Sequence, residues 1–302
     1  MIRGTDPSDG LLRLDKPVGP TSHDMVAWAR RELGLRKVGH TGTLDPFASG
    51  LLLLCLGSST RLAEYLSELS KEYRARARLG VRTSSGDPEG DALATSDGWR
   101  TLGRDEIESA LESFLGASDQ VPPTFSAKKV DGERAYRRAR RGESVSLEPV
   151  PIQVHEVALE TVALPFIDFR LRCSAGTYVR AVARDLGEWL GVGAHLTELR
   201  RVSIGPFSVQ GAVSPEVLGD SAAVRSAWIP PLGAVRHLPV IQDPPDEALH
   251  RFRSGQPLPA SELGAPAEGG EGEVAVAVGD RLVAIAVWDG DRIRPRKVFP
   301  LE

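Results

Sequence analysis

Six apolar residues in a row, Leu51 to Leu56, follow directly on the loop Gly39-His40-Thr41-Gly42-Thr43-Leu44-Asp45-Pro46-Phe47-Ala48-Ser49-Gly50. Such a run is a core strand, so the loop gathers polar groups where the interior of the fold begins. Gly39 and Gly42 allow backbone conformations closed to other residues, which lets a tight loop present His40, Thr41 and Thr43. Asp45 stands before Pro46, which biases it to an extended backbone. The spacing supports two readings of Asp45. As a structural residue it makes a turn, or caps a helix with Pro46 at its first position. As a chemical one it is a nucleophile or base, with His40 as a polar neighbour.

The rest of the chain predicts alternating strands and helices. Leu11 to Leu14 is a short strand leading into the turn Asp15-Lys16-Pro17-Val18-Gly19-Pro20. Thr21 or Ser22 then caps a helix that places Val26, Ala29 and Leu33 on one face and stops at Gly34. A helix is expected from Ser59 to Leu69, and a strand from Tyr73 to Arg82, where Tyr73, Ala75, Ala77, Leu79 and Val81 alternate with arginines. Thr83 to Gly98 is an acidic loop, Asp105 to Leu115 a helix, and Glu133 to Arg141 an arginine-rich helix. Ile167 to Cys173 alternates again and runs through Ser174-Ala175-Gly176-Thr177-Tyr178-Val179-Arg180 into a helix. That puts Tyr178 and Arg180 at an element end, where sites are often built. From about Pro230 the composition changes to Pro- and Gly-rich connections between short strands, Glu273 to Val278, Leu282 to Trp288 and Arg296 to Phe299. This is a small β domain.

Composition narrows the function classes. A chain of 302 residues, 41% hydrophobic and 26% charged, reads as a soluble globular protein with room for one large domain and one small one. Its longest apolar run falls far short of the roughly 18 to 20 residues of a membrane span, and Met1 to Gly10 is too polar for a leader, so a cytoplasmic protein is expected. Cys55 and Cys173 sit in apolar runs without Cys-x-x-Cys spacing and read as reduced core residues. Asp87, Glu89 and Asp91 faintly suggest a calcium loop, but Ala92 and Gly98 stand where its glycine and glutamate are required. Gly191-Val192-Gly193 lacks the third glycine of a dinucleotide fingerprint and no P-loop is present, so no cofactor is expected. The net charge of -4 does not announce a nucleic-acid partner, yet arginines cluster at 134–141 and basic residues at 292–297, as a phosphate backbone requires. The same clusters are equally consistent with solvated faces.

Gly39-His40-Thr41-Gly42-Thr43-Leu44-Asp45-Pro46 closely resembles the catalytic motif of the TruB-type tRNA pseudouridine synthases, whose conserved Asp is the nucleophile. Further segments resemble the same family: Leu14-Asp15-Lys16-Pro17 with Gly19, Lys71-Glu72-Tyr73-Arg74, Gly176-Thr177-Tyr178-Val179-Arg180, and Ala194 to Arg201. The likeness is strong from Leu11 to Arg201 and weaker beyond Pro230, and Ala175 stands where the family usually has a basic residue.

The resemblance implies an α/β (α+β) fold: a catalytic domain over 1–232 with a mixed, mostly antiparallel sheet and an RNA-gripping insertion at about 83–145, then a PUA-like β domain over 233–302. It implies isomerisation of the uridine at position 55 in the TΨC loop of tRNA. Asp45 is then the nucleophile, Tyr73 the residue that stacks on the flipped base and takes part in proton transfer, and Arg180 the partner of Asp45. His40, Tyr178, Leu199 and Lys16 are expected to bind substrate, and Arg137, Arg138 and Arg141 to meet RNA phosphates. The implied partner is tRNA through its T-arm, with no membrane, guide RNA or protein partner, and the protein is a monomer. Two other readings remain open: a guide-RNA-dependent synthase, and a non-catalytic RNA-binding protein.

Overall fold

The computed structural model describes residues 8–125, 129–130, 133–134, 141, 143, 147–265 and 270–300. Strand β1 (Gly10–Lys16) leads to helix α1 (Ser22–Leu33), β2 (Val38–His40) and β3 (Ser49–Leu56). Helix α2 (Ala63–Ser67), β4 (Lys71–Leu79) and the hairpin of β5 (Val81–Thr83) and β6 (Ala92–Thr95) follow. Helix α3 (Arg104–Glu112), β7 (Gly116–Gln120), β8 (Val150–Ala163), β9 (Phe166–Cys173), helix α4 (Val179–Trp189) and β10 (Ala194–Ile204) complete the larger part. Beyond it lie β11 (Val240–Gln242), helix α5 (Asp246–Arg253), β12 (Glu271–Val278), β13 (Arg281–Asp289) and β14 (Arg292–Val298).

The main sheet has the order Trp228–Ile229, β1, β3, β10, β4, β9, β8, β7, with β2 paired to β3 and Phe207–Ser208 to β10. Its pairings are antiparallel except where β10 meets β3 in parallel, through Arg200 with Ser49 and Arg201 with Gly50. A mixed, mostly antiparallel sheet with helices is therefore the architecture, as expected. β2 pairs with β3 only from Leu54 to Leu56, on the edge that β10 takes up at Ser49 and Gly50. The loop between β2 and β3 must accordingly leave the sheet plane to let β10 in.

The unbroken apolar run now has its reason. Leu52, Leu54 and Leu56 pack under α1, whereas Leu51, Leu53 and Cys55 pack against Ala275, Leu282, Ile285 and Phe299 of the second sheet. A strand covered on both faces has no solvent side to be polar. On β4, by contrast, alternation is real: Tyr73, Ala75, Ala77 and Leu79 are buried beneath α3 and α4. The intervening arginines face out into cross-strand ion pairs, Arg76 with Asp168 at 2.7 Å and Glu198 at 3.1 Å, and Arg74 with Glu160 at 3.7 Å.

Helix α1 forms where its caps predict. Thr21 accepts from the Asp24 amide while Asp24 accepts from the Thr21 amide, and Gly34 ends the helix with φ of 66°. Three expectations need correction. The segment expected to be helical from Ser59 to Leu69 begins as 3-10 turns over Gly57–Leu62, and only α2 is α-helical. The acidic loop holds β6, and Glu133–Arg134 pairs as a strand with Lys129–Val130 rather than opening a helix. Arg137, Arg138 and Arg140 lie outside the described residues. The second sheet, ordered β11, β12, β13, β14 and Leu258–Pro259, packs on α5. In its basic cluster Arg294 pairs with Asp289 at 3.1 Å, Arg296 with Glu273 at 2.7 Å, and Lys297 with Glu64 of α2.

Candidate active site

Residues 41–48 form the loop expelled where β10 joins β3. Asp45 caps no helix: its carbonyl accepts from the Ala48 amide at 3.1 Å, closing one turn before β3 starts. The loop is pinned from four directions. The Ser22 hydroxyl at the start of α1 donates to the Leu44 carbonyl at 3.1 Å and accepts from the Leu44 amide at 2.8 Å. The Gly19 amide donates to the Pro46 carbonyl at 2.8 Å. The Lys16 ammonium, wholly buried at the end of β1, donates to the carbonyls of Pro17 at 2.7 Å and Pro46 at 3.4 Å. From below, the Arg201 guanidinium on β10 donates to the carbonyls of Leu51 at 2.8 Å, Gly42 at 3.1 Å and Thr43 at 3.4 Å. Gly50 is required at the crossing, because at φ of 104° an added Cβ would lie 2.2 Å from the Arg201 carbonyl oxygen.

So held, Asp45 meets Arg180 in the first turn of α4, with Nε 2.9 Å from Oδ2. The same guanidinium donates to the Ser85 carbonyl at 2.8 Å, the Asp87 carboxylate at 3.2 Å and the Phe125 carbonyl at 2.9 Å. Arg180 is thus fixed in direction and buried. Its two carboxylates differ. Asp87 is 6% exposed and tied to the Ser85 hydroxyl and the Glu89 amide, whereas the Asp45 side chain is 36% exposed and open to a substrate. Burial pushes the Asp45 carboxyl above its ordinary value, and the Asp87 charge adds to this, while Arg180 and Lys16 draw it back down. Burial lowers Lys16 to about 8, against the pull of Asp45.

The other predicted residues fall around this pair with differing roles. Tyr73 faces Arg201 across the β4–β10 pairing and belongs to the buried cluster that holds Leu44 and Phe47 of the loop. Burial raises its hydroxyl, and Arg201 beside it opposes the rise. His40 ends β2, its Nδ1 buried without a partner among the described residues, and burial, with Arg201 nearby, shifts it toward its neutral form. Tyr178 caps α4, its amide donating to Gln120 of β7 at 2.9 Å. Leu199 pairs with Ala75 and lies in the same cluster as Tyr73. Arg141 is exposed, with Nε 2.6 Å from Glu143. Asp87 and Arg201 were not singled out in the sequence. Asp87 sits in the acidic stretch weighed above only as a calcium loop, and Arg201 at the end of a segment noted only for its likeness.

These features, a partly open carboxylate locked to a buried arginine above a sheet tyrosine, lie in a fold shared with known structures. A Cbf5-Nop10-Gar1 complex matches with a TM-score of 0.75 and 29% identity, over 97% of this chain and 85% of that one. An H/ACA RNP bound to a substrate RNA containing 2'-deoxyuridine matches with a TM-score of 0.73 and 27% identity, over 98% and 92%. Family models for TruB family pseudouridylate synthase (N terminal domain) and for the tRNA pseudouridylate synthase B C-terminal domain match residues 30–179 and 180–227. The protein is an isomerase of the pseudouridine synthase class.

Within that class the relatives are specific. The chain is 46% identical over 287 residues to tRNA pseudouridine synthase B of Burkholderia pseudomallei (strain 668), covering 92% of each. It is 40% identical over 308 residues to tRNA pseudouridine synthase B of Geobacter sulfurreducens, covering 96% of this chain and 99% of that protein. The chain belongs to the TruB family.

Proposed function

We propose that this chain converts uridine to pseudouridine at position 55 in the TΨC loop of tRNA, acting alone and without a cofactor, with Asp45 as the nucleophile on a flipped-out base. The relatives' activity on tRNA supports the substrate. The observation that carries the chemistry is the contrast between the two carboxylates on Arg180. Asp87 is sealed and fully bonded, so Asp45 is the one that faces a substrate.

The reaction breaks the bond from uracil N1 to ribose, turns the base, and joins it through C5. Atoms are conserved, so no redox or group-carrying reagent enters. An ionised Asp45 serves attack at the sugar carbon, attack at uracil C6, or elimination across the ribose alike. Arg180 supplies two things to any of these: a positive charge that favours the ionised carboxylate, and a fixed direction. Extracting the base from its stack costs a few kcal/mol. Stacking on Tyr73 returns about 1 to 3 kcal/mol of it, and His40, neutral at the loop edge, braces the vacated place. Leu199 and Tyr178 contribute to substrate binding, whereas Lys16, wholly buried, acts through the loop by holding the Pro46 carbonyl. Residues 1–232 form the catalytic domain and 233–302 a PUA-like domain that supports tRNA binding.

The likeness to a structure of an H/ACA RNP leaves one rival reading open, dependence on a guide RNA. The greater identity to tRNA pseudouridine synthase B favours the stand-alone reading. Incubating the purified protein with an unmodified tRNA transcript and no other RNA, then mapping pseudouridine by carbodiimide labelling and primer extension, tests it. A new stop at position 55 is expected, and it should vanish in a transcript with cytidine there. A stop elsewhere, or none until a guide RNA is added, would refute the proposal.

A further inference from the structure

We propose that Arg201 is a positioning residue that couples the loop carrying Asp45 to the ring of Tyr73, an inference that rests on the reading of the site given above. Arg201 is 1% exposed and among the largest fully buried side chains of the protein. Among the described residues its guanidinium has no carboxylate partner; it is satisfied by the carbonyls of Gly42, Thr43 and Leu51. A charge buried without a counter-ion is expensive, and a fold with no other use for it is more stable with an apolar side chain there. Its placement shows the use. Two of its acceptors lie in the loop two and three residues before Asp45, and the third opens the apolar stretch of β3 that anchors the loop's other end.

Register supplies the second arm. Arg201 pairs with Tyr73 across β4 and β10, so the two side chains stand beside each other on the face that α4 covers. The planar guanidinium meets three carbonyls in fixed directions and still lies against the Tyr73 hydroxyl. A lysine ammonium at that site carries the charge and lacks the geometry. The crossing itself guards the arrangement, since any side chain at Gly50 would strike the Arg201 backbone.

The test compares wild type, Arg201→Lys, Tyr73→Phe and the double variant on a tRNA transcript, together with hydrogen exchange of the free proteins. For Arg201→Lys we expect kcat to fall about 100-fold while KM for tRNA stays within about 2-fold, because orientation is lost and RNA contacts are not. In the double variant the combined loss should be smaller than the product of the single losses. Amides of residues 41–48 should exchange about 10-fold faster in Arg201→Lys, with the remainder of the sheet unchanged. A wild-type kcat, losses that multiply, or an unchanged loop exchange would overturn the inference. If Arg201→Lys does not fold, Tyr73→Phe carries the exchange test alone: faster exchange of residues 41–48 supports the link, and unchanged exchange overturns it. Should the wild type make no pseudouridine, the proposed function falls while the exchange measurement still decides the clamp.

Discussion

Substituting Arg180 separates two contributions that the wild-type side chain makes together, its charge and its direction. Arg180→Lys keeps the positive charge but replaces four directed contacts, to Asp45, Ser85, Asp87 and Phe125, with a single ammonium. Each contact made by a charged donor is worth about 1.5 to 3 kcal/mol, and misplacing a reacting group by an ångström costs about 100-fold in rate. We therefore expect kcat to drop about 100-fold with the acid limb of the pH–rate profile nearly in place. Arg180→Met removes the charge as well. Asp87, 6% exposed, is then left without its cation, which costs about 3 to 5 kcal/mol and lowers Tm on the order of 10 °C. Asp45 loses the main influence that holds its carboxyl down against burial, so its pKa rises further. Activity requires the ionised form, hence the acid limb moves to higher pH. Single-turnover time courses of carbodiimide-detected pseudouridine from pH 5 to 9 measure both effects. An acid limb in Arg180→Met that coincides with wild type would refute the role given to Arg180, as would a wild-type rate in Arg180→Lys.

Further expectations follow from the loop's supports. The Lys16 charge favours ionised Asp45, so Lys16→Met should move the acid limb of the same single-turnover profile to higher pH, and an unmoved limb would contradict this role. Ser22→Ala leaves the buried Leu44 amide without its acceptor and should cost about 1 to 3 kcal/mol, read by thermal denaturation. Gly50→Ala places a Cβ 2.2 Å from a backbone oxygen at a left-handed φ, and should yield insoluble protein or a loss of about 4 kcal/mol or more; a Tm near that of wild type would contradict the crossing described.

What the sequence disclosed and what it hid divide by the range of the interaction. Helix α1 was legible because Thr21, Asp24 and Gly34 act within a turn of its ends. The core strand β3 was legible because burial on both faces writes itself as consecutive apolar residues. Strand β8 was not, since register shifts after Val154 and Leu159 break the period-two pattern that announces a strand. Asp87 stayed hidden because its partner, Arg180, lies 93 residues away and its neighbours are acidic loop residues. Arg201 looked like one of many arginines, and only the strand crossing gives it a buried place. The cluster at 292–297 fits either a phosphate site or a solvated face in sequence, whereas in the structure Arg294, Arg296 and Lys297 meet carboxylates.

The central claim, that Asp45 attacks and Arg180 steers it, is tested most directly by Asp45→Asn, which keeps size and hydrogen bonding but cannot ionise. Both proteins would be incubated with one unmodified tRNA transcript, with binding measured alongside. We expect a carbodiimide stop at position 55 for wild type alone, with tRNA bound by both. Pseudouridine formed by Asp45→Asn, or none formed by either protein while both bind tRNA, would contradict it.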